Sequence, residues 1–166
     1  MTLCYLGLGS NLRTPMRQLN QALHLLNKIP KSVILKKSSI YKSRPLGVRS
    51  QPQYFNMVIA IHTSLSAIHL LIYCQQIESK LKRVKKKHWG ARTMDIDLLL
   101  YGEKVINHRD LTIPHPEMIC RDFVLVPLLE ISPNARLPSG IPLHSYLDSC
   151  ELHLTTPTQH QPQDPL

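Results

Sequence analysis

The sequence predicts an α+β fold in which a β-sheet packs against helices. Two observations support this class. Strand-like segments rich in apolar and β-branched residues alternate with two segments that have helical periodicity. The chain has 166 residues and a hydrophobic fraction of 43%, which suits one globular domain. No apolar run approaches the ~20 residues that a membrane-spanning helix needs.

The first part of the chain predicts a strand, a helix and a second strand. Residues 3–8 are mostly apolar and end in the turn-forming run Gly-Ser-Asn. Thr14 is a candidate N-cap with Pro15 at the first helical position, and apolar residues then recur at helical spacing to about Asn27. Residues 33–41 contain enough β-branched side chains for a strand.

The middle of the chain predicts a long loop, a third strand and a second helix. Residues 43–53 form the loop because they are rich in proline, glycine and polar residues. The third strand follows over residues 54–63. Ser64 or Ser66 can cap the next helix, which runs to about Leu81.

The last part of the chain completes the pattern and extends it. A basic linker leads to an apolar strand that begins near Asp95, followed by a hairpin around residues 102–107 and a helix over residues 121–130. The order β-α-β-β-α-β predicts a ferredoxin-like sheet-and-helix sandwich with an extra C-terminal hairpin and helix. Residues 151–166 are rich in Pro, Gln and Thr, so we expect a disordered tail after a single domain over residues 1–150.

Charge and cysteine content narrow the function classes. The chain has 20 basic and 11 acidic residues, a formal charge of +9, which favours an anionic partner such as nucleic acid, a phosphate ester or an acidic membrane surface. Its four cysteines form no C-x-x-C pair, which argues against a zinc site and a disulfide framework. The N-terminus lacks the basic lead and apolar stretch of a signal peptide, so we expect a cytoplasmic location.

Two aspartates stand at the start of the most apolar strand, in the run RTMDIDLLLYG. On a strand, Asp95 and Asp97 project from the same face about 7 Å apart, while Ile96 and Leu98 point the other way. Burying ionised groups without partners costs several kcal/mol each, whereas Mg²⁺ accepts one or two carboxylates and completes its shell with water and phosphates. The pair therefore predicts a Mg²⁺ site, with pairing to arginines at an exposed strand edge as the alternative.

Cations near this pair favour a polyphosphate ligand. Arg92 lies three residues before Asp95, and residues 80–87 are rich in lysine and arginine. Cations beside a metal site are suited to holding a polyphosphate. The alternative, a solvated mobile loop, is compatible with a loop that closes over a nucleotide. The chain has no P-loop motif, and GLGSNLR lacks the third glycine of the dinucleotide fingerprint.

The run HWGARTMDIDLL, residues 88–99, resembles the signature of the 6-hydroxymethyl-7,8-dihydropterin pyrophosphokinase family of the folate pathway. The segments YLGLGSNL, SRPLGVRSQPQYFN, VIN, LTIPHPEM and RDFVLVPLLEISP are similar to that family in the same order, so the resemblance covers residues 1–147. It implies transfer of an intact pyrophosphoryl group from ATP to the pterin hydroxymethyl group, with release of AMP. It also implies that the partners are these two small molecules, and we expect no nucleic-acid or membrane partner. We expect a monomer because no long apolar edge is evident in the sequence.

The resemblance assigns roles to individual residues. The implied catalytic residues are Arg83, Arg92, Asp95 and Asp97, and the two aspartates would hold two Mg²⁺ ions. The implied ATP-binding residues are Gln75, Lys85, Trp89, Arg92, the backbone of Leu98, Thr112, His115 and Arg121. The implied pterin-binding residues are Ser43, the backbone of Leu46, Tyr54, Asn56, Trp89, Asp95 and Phe123. Tyr54 and Phe123 would sandwich the flat pterin, although without the resemblance both would be read as core residues.

Three positions depart from the family pattern. Lys85 stands where a second loop arginine often occurs, so bidentate contact with phosphate is lost there. Asp110 stands where some members have a basic residue, and Pro116 cannot offer the hydroxyl of a tyrosine found in others. These differences bear on nucleotide affinity and not on the reaction.

Two other function classes share parts of this pattern. An RNA-recognition domain has the same β-α-β-β-α-β order, but here the third strand has no aromatic residue in its middle and the chain has only two Phe. A metal-dependent nucleotidyltransferase also uses paired acids on such a sheet. It would release pyrophosphate from ATP instead of AMP.

Overall fold

The computed structural model describes residues 1–11, 14–43, 54–82 and 94–154 with their side chains, and residues 83 and 155–157 by their backbone. The strands in this part of the chain are β1 (Thr2–Ser10), β2 (Ser32–Lys37), β3 (Tyr41–Ser43), β4 (Tyr54–Thr63), β5 (Asp95–Tyr101), β6 (Ile106–His108), β7 (Leu111–Ile113) and β8 (Leu154–Pro157). The α-helices are α1 (Pro15–Leu26), α2 (Ala67–Arg83) and α3 (Asp122–Ile131), and short 3₁₀ helices cover Met118–Cys120 and Leu143–Ser149.

The main sheet is antiparallel and has β1 and β4 at its centre. Its strand order is β5-β1-β4-β3-β8, and β2 also pairs with β4. Strands β6 and β7 form a separate hairpin. The predicted α+β class is therefore confirmed, with an antiparallel sheet that packs against helices.

The sheet buries both of its faces because its central strands carry apolar side chains on each side. Leu6 and Ile59 point to the face that α1 and α2 cover, and both are fully buried there. Tyr5 and Val58, the next residues in the alternation, point to the face that α3 covers. The molecule thus has two apolar cores, one on each side of the sheet.

The starts of the two long helices differ in how they are capped. Thr14 is the N-cap residue of α1 and Pro15 stands at the start of the helix, as predicted, but the Thr14 side chain makes no capping hydrogen bond. The Thr14 carbonyl accepts a hydrogen bond from the backbone N–H of Gln18 at 3.1 Å, and α1 begins at Pro15. At α2, the Ser66 hydroxyl accepts a hydrogen bond from the backbone N–H of His69 at 3.2 Å, as expected of an N-cap serine.

The single strand predicted over residues 33–41 is divided into β2 and β3. The division falls at Ser38, whose backbone N–H donates to the Val58 carbonyl at 2.9 Å. The Ser38 hydroxyl accepts a hydrogen bond from the Val58 N–H, also at 2.9 Å. The Val58 N–H is thus bound by a serine side chain instead of a backbone carbonyl of the neighbouring strand. Strand propensity does not predict such a side-chain hydrogen bond.

The C-terminal third matches the predicted elements with shifted bounds. The hairpin consists of β6 and β7, so it overlaps the predicted residues 102–107 only in β6 and extends to Ile113. Helix α3 lies within one residue of its predicted range. In the segment expected to be a disordered tail, β8 pairs with β3. Residues 158–166 lie outside the described residues, and the domain boundary at residue 150 stays a prediction. Among the described residues, no helix is long and apolar enough to cross a membrane.

Candidate active site

Two glycines of β1 leave room for a cavity on the α3 side of the sheet. Gly7 pairs with Asp97 and Gly9 pairs with Asp95, so each aspartate lies beside a residue that has no side chain. A Cβ added at Gly9 would come 3.0 Å from Oδ1 of Asn56, which lies opposite Gly9 on β4. The open cavity above these glycines has a volume of about 340 Å³.

The cavity brings together residues that are far apart in the sequence. Its lining includes seven of the predicted site residues, namely Ser43, Tyr54, Asn56, Asp95, Asp97, Arg121 and Phe123. They come from β3, β4 and β5 and from the start of α3. The sheet pairing therefore gathers predicted pterin-binding residues and the aspartate pair into one space.

One end of the cavity combines amide and hydroxyl groups with aromatic rings. Asn56 Nδ2 donates a hydrogen bond to Ser43 Oγ at 2.8 Å, and both side chains are buried. This bond fixes the orientation of the Asn56 amide, whose oxygen lies near Gly9. The Tyr54 hydroxyl lies 3.4 Å from Asp95 Oδ2 and can donate to it. Such an end suits a flat ligand with a polar edge.

The start of α3 supplies a cation and the second aromatic ring. The Arg121 guanidinium lies over the Phe123 ring, 5.6 Å from its centroid, in a cation–π contact. Arg121 also forms an ion pair with Glu117. The same short segment thus presents a positive charge and an apolar face to the cavity.

The aspartate pair is electrostatically unfavourable without a cation. Burial raises the pKa of Asp97, and the charge of Asp95 raises it further, while His115 and Arg121 oppose the shift. The described residues contain no cluster of three or more His, Cys, Asp or Glu that could hold a metal ion. Two carboxylates still fit Mg²⁺, which takes its other ligands from water and substrate phosphates.

His115 is held by hydrogen bonds at the edge of this charged group. Its backbone N–H donates to the Leu99 carbonyl at 3.0 Å, and its Nδ1 accepts from the Glu117 N–H at 3.3 Å. Burial lowers the pKa of His115, and the nearby Asp97 carboxylate acts in the opposite direction. Because Nδ1 accepts a hydrogen bond, the neutral ring carries its proton on Nε2.

Among the residues that the structure describes, the other predicted nucleotide-binding residues do not line the cavity. Gln75 on α2 and Thr112 on β7 are exposed. The Leu98 side chain is buried in the core, so only its backbone remains for a ligand. Leu46, Lys85, Trp89 and Arg92 lie outside the described residues, as does the side chain of Arg83.

One residue near the aspartates was not among the predicted site residues. Glu78 on α2 has a pKa raised to about 7, first because it is buried and then because Asp95 and Asp97 repel its charge; Lys82, 3.7 Å away, opposes the shift. The helical pattern could have flagged this acid, because it lies one turn after the buried Cys74.

Comparison with known proteins identifies the family of this chain. Residues 5–133 match the model of the 7,8-dihydro-6-hydroxymethylpterin-pyrophosphokinase (HPPK) family. The chain is 46% identical over 140 residues to the 2-amino-4-hydroxy-6-hydroxymethyldihydropteridine pyrophosphokinase of Haemophilus influenzae, covering 84% of this chain and 88% of that protein. It is 40% identical over 146 residues to the protein of the same name from Pseudomonas aeruginosa, covering 88% and 90%.

Solved structures show the same fold at lower sequence identity. The crystal structure of wild-type Plasmodium falciparum HPPK-DHPS is similar, with a TM-score of 0.70 and 15% identity, over 90% of this chain. This chain spans 43% of that longer protein, so the likeness concerns the fold alone. Taken with the cavity and its paired aspartates, the match over residues 5–133 shows that the chain belongs to the 7,8-dihydro-6-hydroxymethylpterin-pyrophosphokinase family.

Proposed function

We propose that the cavity is the place where this chain transfers the pyrophosphoryl group of ATP to 6-hydroxymethyl-7,8-dihydropterin, which yields AMP and the pterin diphosphate in folate biosynthesis. ATP is the co-substrate and the pterin is the acceptor. The observation that carries the proposal is that one cavity combines an aromatic, amide-lined end with the Asp95–Asp97 pair. Family membership supplies the reaction, and the cavity supplies a place for both reactants.

The pterin occupies the aromatic end. Its planar ring system fits between Tyr54 and Phe123, where aromatic contact contributes about 0.5–1.5 kcal/mol beyond the buried area. Asn56 reads the hydrogen-bonding edge because its amide is already oriented by Ser43. The predicted contacts of the Leu46 backbone and Trp89 belong to the same proposal. In this pose the hydroxymethyl group points toward Asp95.

The ATP phosphates occupy the aspartate end. Asp95 and Asp97 hold two Mg²⁺ ions, which neutralise the phosphates and polarise the reacting oxygens when bound. Arg121 adds positive charge beside the carboxylates, and the neutral ring of His115 adds its Nε2–H as a hydrogen-bond donor. The remaining nucleotide contacts belong to the same proposal and come from Gln75, Arg83, Lys85, Trp89, Arg92, the Leu98 backbone and Thr112.

The protein acts by orienting the reactants and stabilising charge. The pterin hydroxyl oxygen forms a bond to the β-phosphorus of ATP as the bond from that phosphorus to the α,β-bridging oxygen breaks. AMP leaves with the bridging oxygen, and the hydroxyl proton is released. Tyr54 and Phe123 align the acceptor while Arg121 offsets negative charge, so catalysis comes from positioning and electrostatics.

The same proposal includes the finer architecture and setting of the protein. The strand order β5-β1-β4-β2, with α1 and α2 as the two crossovers, supports a ferredoxin-like unit. We further propose a cytoplasmic monomer that binds neither nucleic acid nor membrane. Size-exclusion chromatography with light scattering would test the oligomeric state, and a dimer would overturn it.

The deciding experiment is analysis of nucleotide products after incubation with Mg²⁺, ATP and the hydroxymethyl pterin. We expect one AMP for each pterin consumed, and the loss of both in the Asp97→Asn variant. Asp148→Asn, which changes an exposed aspartate of the 3₁₀ helix Leu143–Ser149, is the matched control and should keep full activity. Release of ADP or pyrophosphate, or full activity in Asp97→Asn, would contradict the proposal.

A further inference from the structure

We propose that the C-terminal strap, which we define as residues 151–157, is a positioning element for the pterin, and that His153 acts by holding the Phe123 ring. The inference rests on the proposed function, because it assumes that Phe123 contacts the pterin. The strap lies outside the cavity lining, and it touches residues on two walls of the cavity.

A buried carboxylate fastens the strap to the start of α3. Asp122 is 2% exposed, and its Oδ2 accepts hydrogen bonds from the backbone N–H groups of His153 and Leu154, each at 2.8 Å. Its Oδ1 accepts from the N–H of Phe123, also at 2.8 Å. One side chain thus links the backbone of the strap to the backbone of the aromatic residue in the cavity.

The ring of His153 packs against the ring of Phe123. Their centroids are 5.9 Å apart and their planes make an angle of 84°, which is the edge-to-face arrangement that aromatic pairs favour. Two carboxylates flank the imidazole, with Asp122 Oδ1 3.5 Å from Nδ1 and Glu151 Oε2 3.8 Å from Nε2. The imidazole side chain is only 15% exposed. These contacts restrict the Phe123 ring before any ligand arrives.

The strap also reaches the opposite wall of the cavity. Its strand β8 pairs with β3, and in this register Leu154 lies opposite Ser43. Ser43 is the residue that orients the Asn56 amide. The backbone N–H of Leu154 therefore donates a hydrogen bond to Asp122, and Leu154 also pairs with β3, the strand that carries Ser43. The strap joins the aromatic wall to the amide wall, so it sets the width of the space for the pterin.

The test compares the kinetics of His153→Ala with those of the wild type. Because the contact restrains only the aromatic wall, we expect KM for the pterin to rise by about 3- to 10-fold, the range that an edge-to-face contact corresponds to. The values of kcat and of KM for ATP should stay within about twofold. His153→Phe keeps a ring against Phe123 and should restore the pterin KM. His144→Ala, at an exposed histidine, is the control and should change nothing.

Two further variants separate this inference from the proposed function. Phe123→Ala should weaken pterin binding, measured as the Kd from pterin fluorescence, and adding His153→Ala to it should have no further effect. If Phe123→Ala weakens binding but His153→Ala does not, the strap has no positioning role and the proposed site stands. If neither variant changes pterin binding, the proposed site fails as well. A fall in kcat with an equal rise in both KM values would indicate general damage and would overturn the inference.

Discussion

At the scale of single residues, Gly9 connects the sheet to the cavity. It pairs with Asp95 on one neighbouring strand and with Asn56 on the other, and it lines the space between them. A Cβ at this position would come 3.0 Å from Asn56 Oδ1 and 3.6 Å from the Tyr54 ring. Asn56 cannot yield without losing its hydrogen bond to Ser43, so the absence of a side chain at Gly9 is a requirement of the site.

We therefore expect Gly9→Ala to weaken pterin binding by about tenfold, because displacing a hydrogen-bonded amide costs about 1–2 kcal/mol. The measurement is the pterin Kd by fluorescence. Gly7→Ala is the matched control for the Asn56 contact, because the three heavy atoms nearest to its added Cβ all belong to the Leu99 side chain, the nearest at 3.5 Å, an ordinary contact. Equal losses of affinity in both variants would contradict this account.

Glu78 gives a second prediction at the residue scale. Its pKa is raised from 4.5 to about 7, so the folded protein holds this proton more tightly than the unfolded chain does. Its contribution to stability is therefore complete below pH 4.5 and is lost as the pH rises toward 7. In the absence of divalent cations, Glu78→Gln should raise the free energy of unfolding at pH 8 by about 1–3 kcal/mol, a discounted value for a partly exposed group.

Urea unfolding at pH 8 and pH 4.5 would check this prediction. The gain should fall to less than about 0.5 kcal/mol at the lower pH, where the glutamate is protonated in the folded protein and about half protonated in the unfolded chain. Glu103→Gln, at an exposed glutamate in the turn after β5, is the control and should leave the free energy of unfolding unchanged at both pH values. A loss of stability in Glu78→Gln at pH 8 would show that the charged form is favoured in the folded protein.

At the scale of elements, the sequence predicted the type and bounds of those helices and strands whose segments have one clear periodicity. The range 54–63 predicted for β4 is the observed one, and α3 differs from its prediction by one residue. The strand over residues 33–41 was wrong because its interruption depends on a hydrogen bond between Ser38 and Val58, which belong to different segments. The strap was missed because its order depends on Asp122, a residue far from it in sequence.

The residues of the candidate site also fall into two groups: those that the sequence alone could single out and those that it could not. Asp95 and Asp97 could be singled out because two carboxylates in an apolar strand need a partner. Tyr54 and Phe123 could not be separated from core residues without the family resemblance, since aromatic side chains serve both purposes. His153 was missed because its importance arises only when the strap packs against Phe123, whereas the helical pattern could have flagged Glu78, whose pKa responds to Asp95 and Asp97.

Truncation tests the strap as an element. A chain that ends at Leu152 loses the two N–H groups that bind Asp122, and it leaves a buried carboxylate short of partners. We expect its free energy of unfolding to fall by about 2–4 kcal/mol, the scale of charge-assisted hydrogen bonds lost in a buried setting. Guanidinium unfolding of this chain and of one that ends at Pro157, which keeps β8, would measure the effect. Equal stability of the two chains would mean that β8 contributes nothing.

At the scale of the whole molecule, the candidate site is acidic whereas the chain as a whole is basic. The chain carries a formal charge of +9, whereas the cavity contains the Asp95–Asp97 pair and lies near Glu78. A basic protein attracts a polyphosphate from a distance, while the acidic pair receives it only together with cations. The two substrates should therefore respond differently to salt, since ATP is strongly anionic and the pterin is neutral.

Raising the ionic strength from about 0.05 to 0.5 M shortens the screening length from above 10 Å to a few Å. We expect KM for ATP to rise by about 3- to 10-fold over this range, at fixed free Mg²⁺, because the long-range attraction is screened. The KM for the pterin should change by less than about twofold, because stacking and hydrogen bonds within the cavity act at contact distance. Steady-state kinetics in KCl would measure both constants on one enzyme preparation, so that the pterin serves as the internal control. If both KM values rise together, salt acts on the fold or on Mg²⁺ binding, and the net charge has no part in selecting the nucleotide.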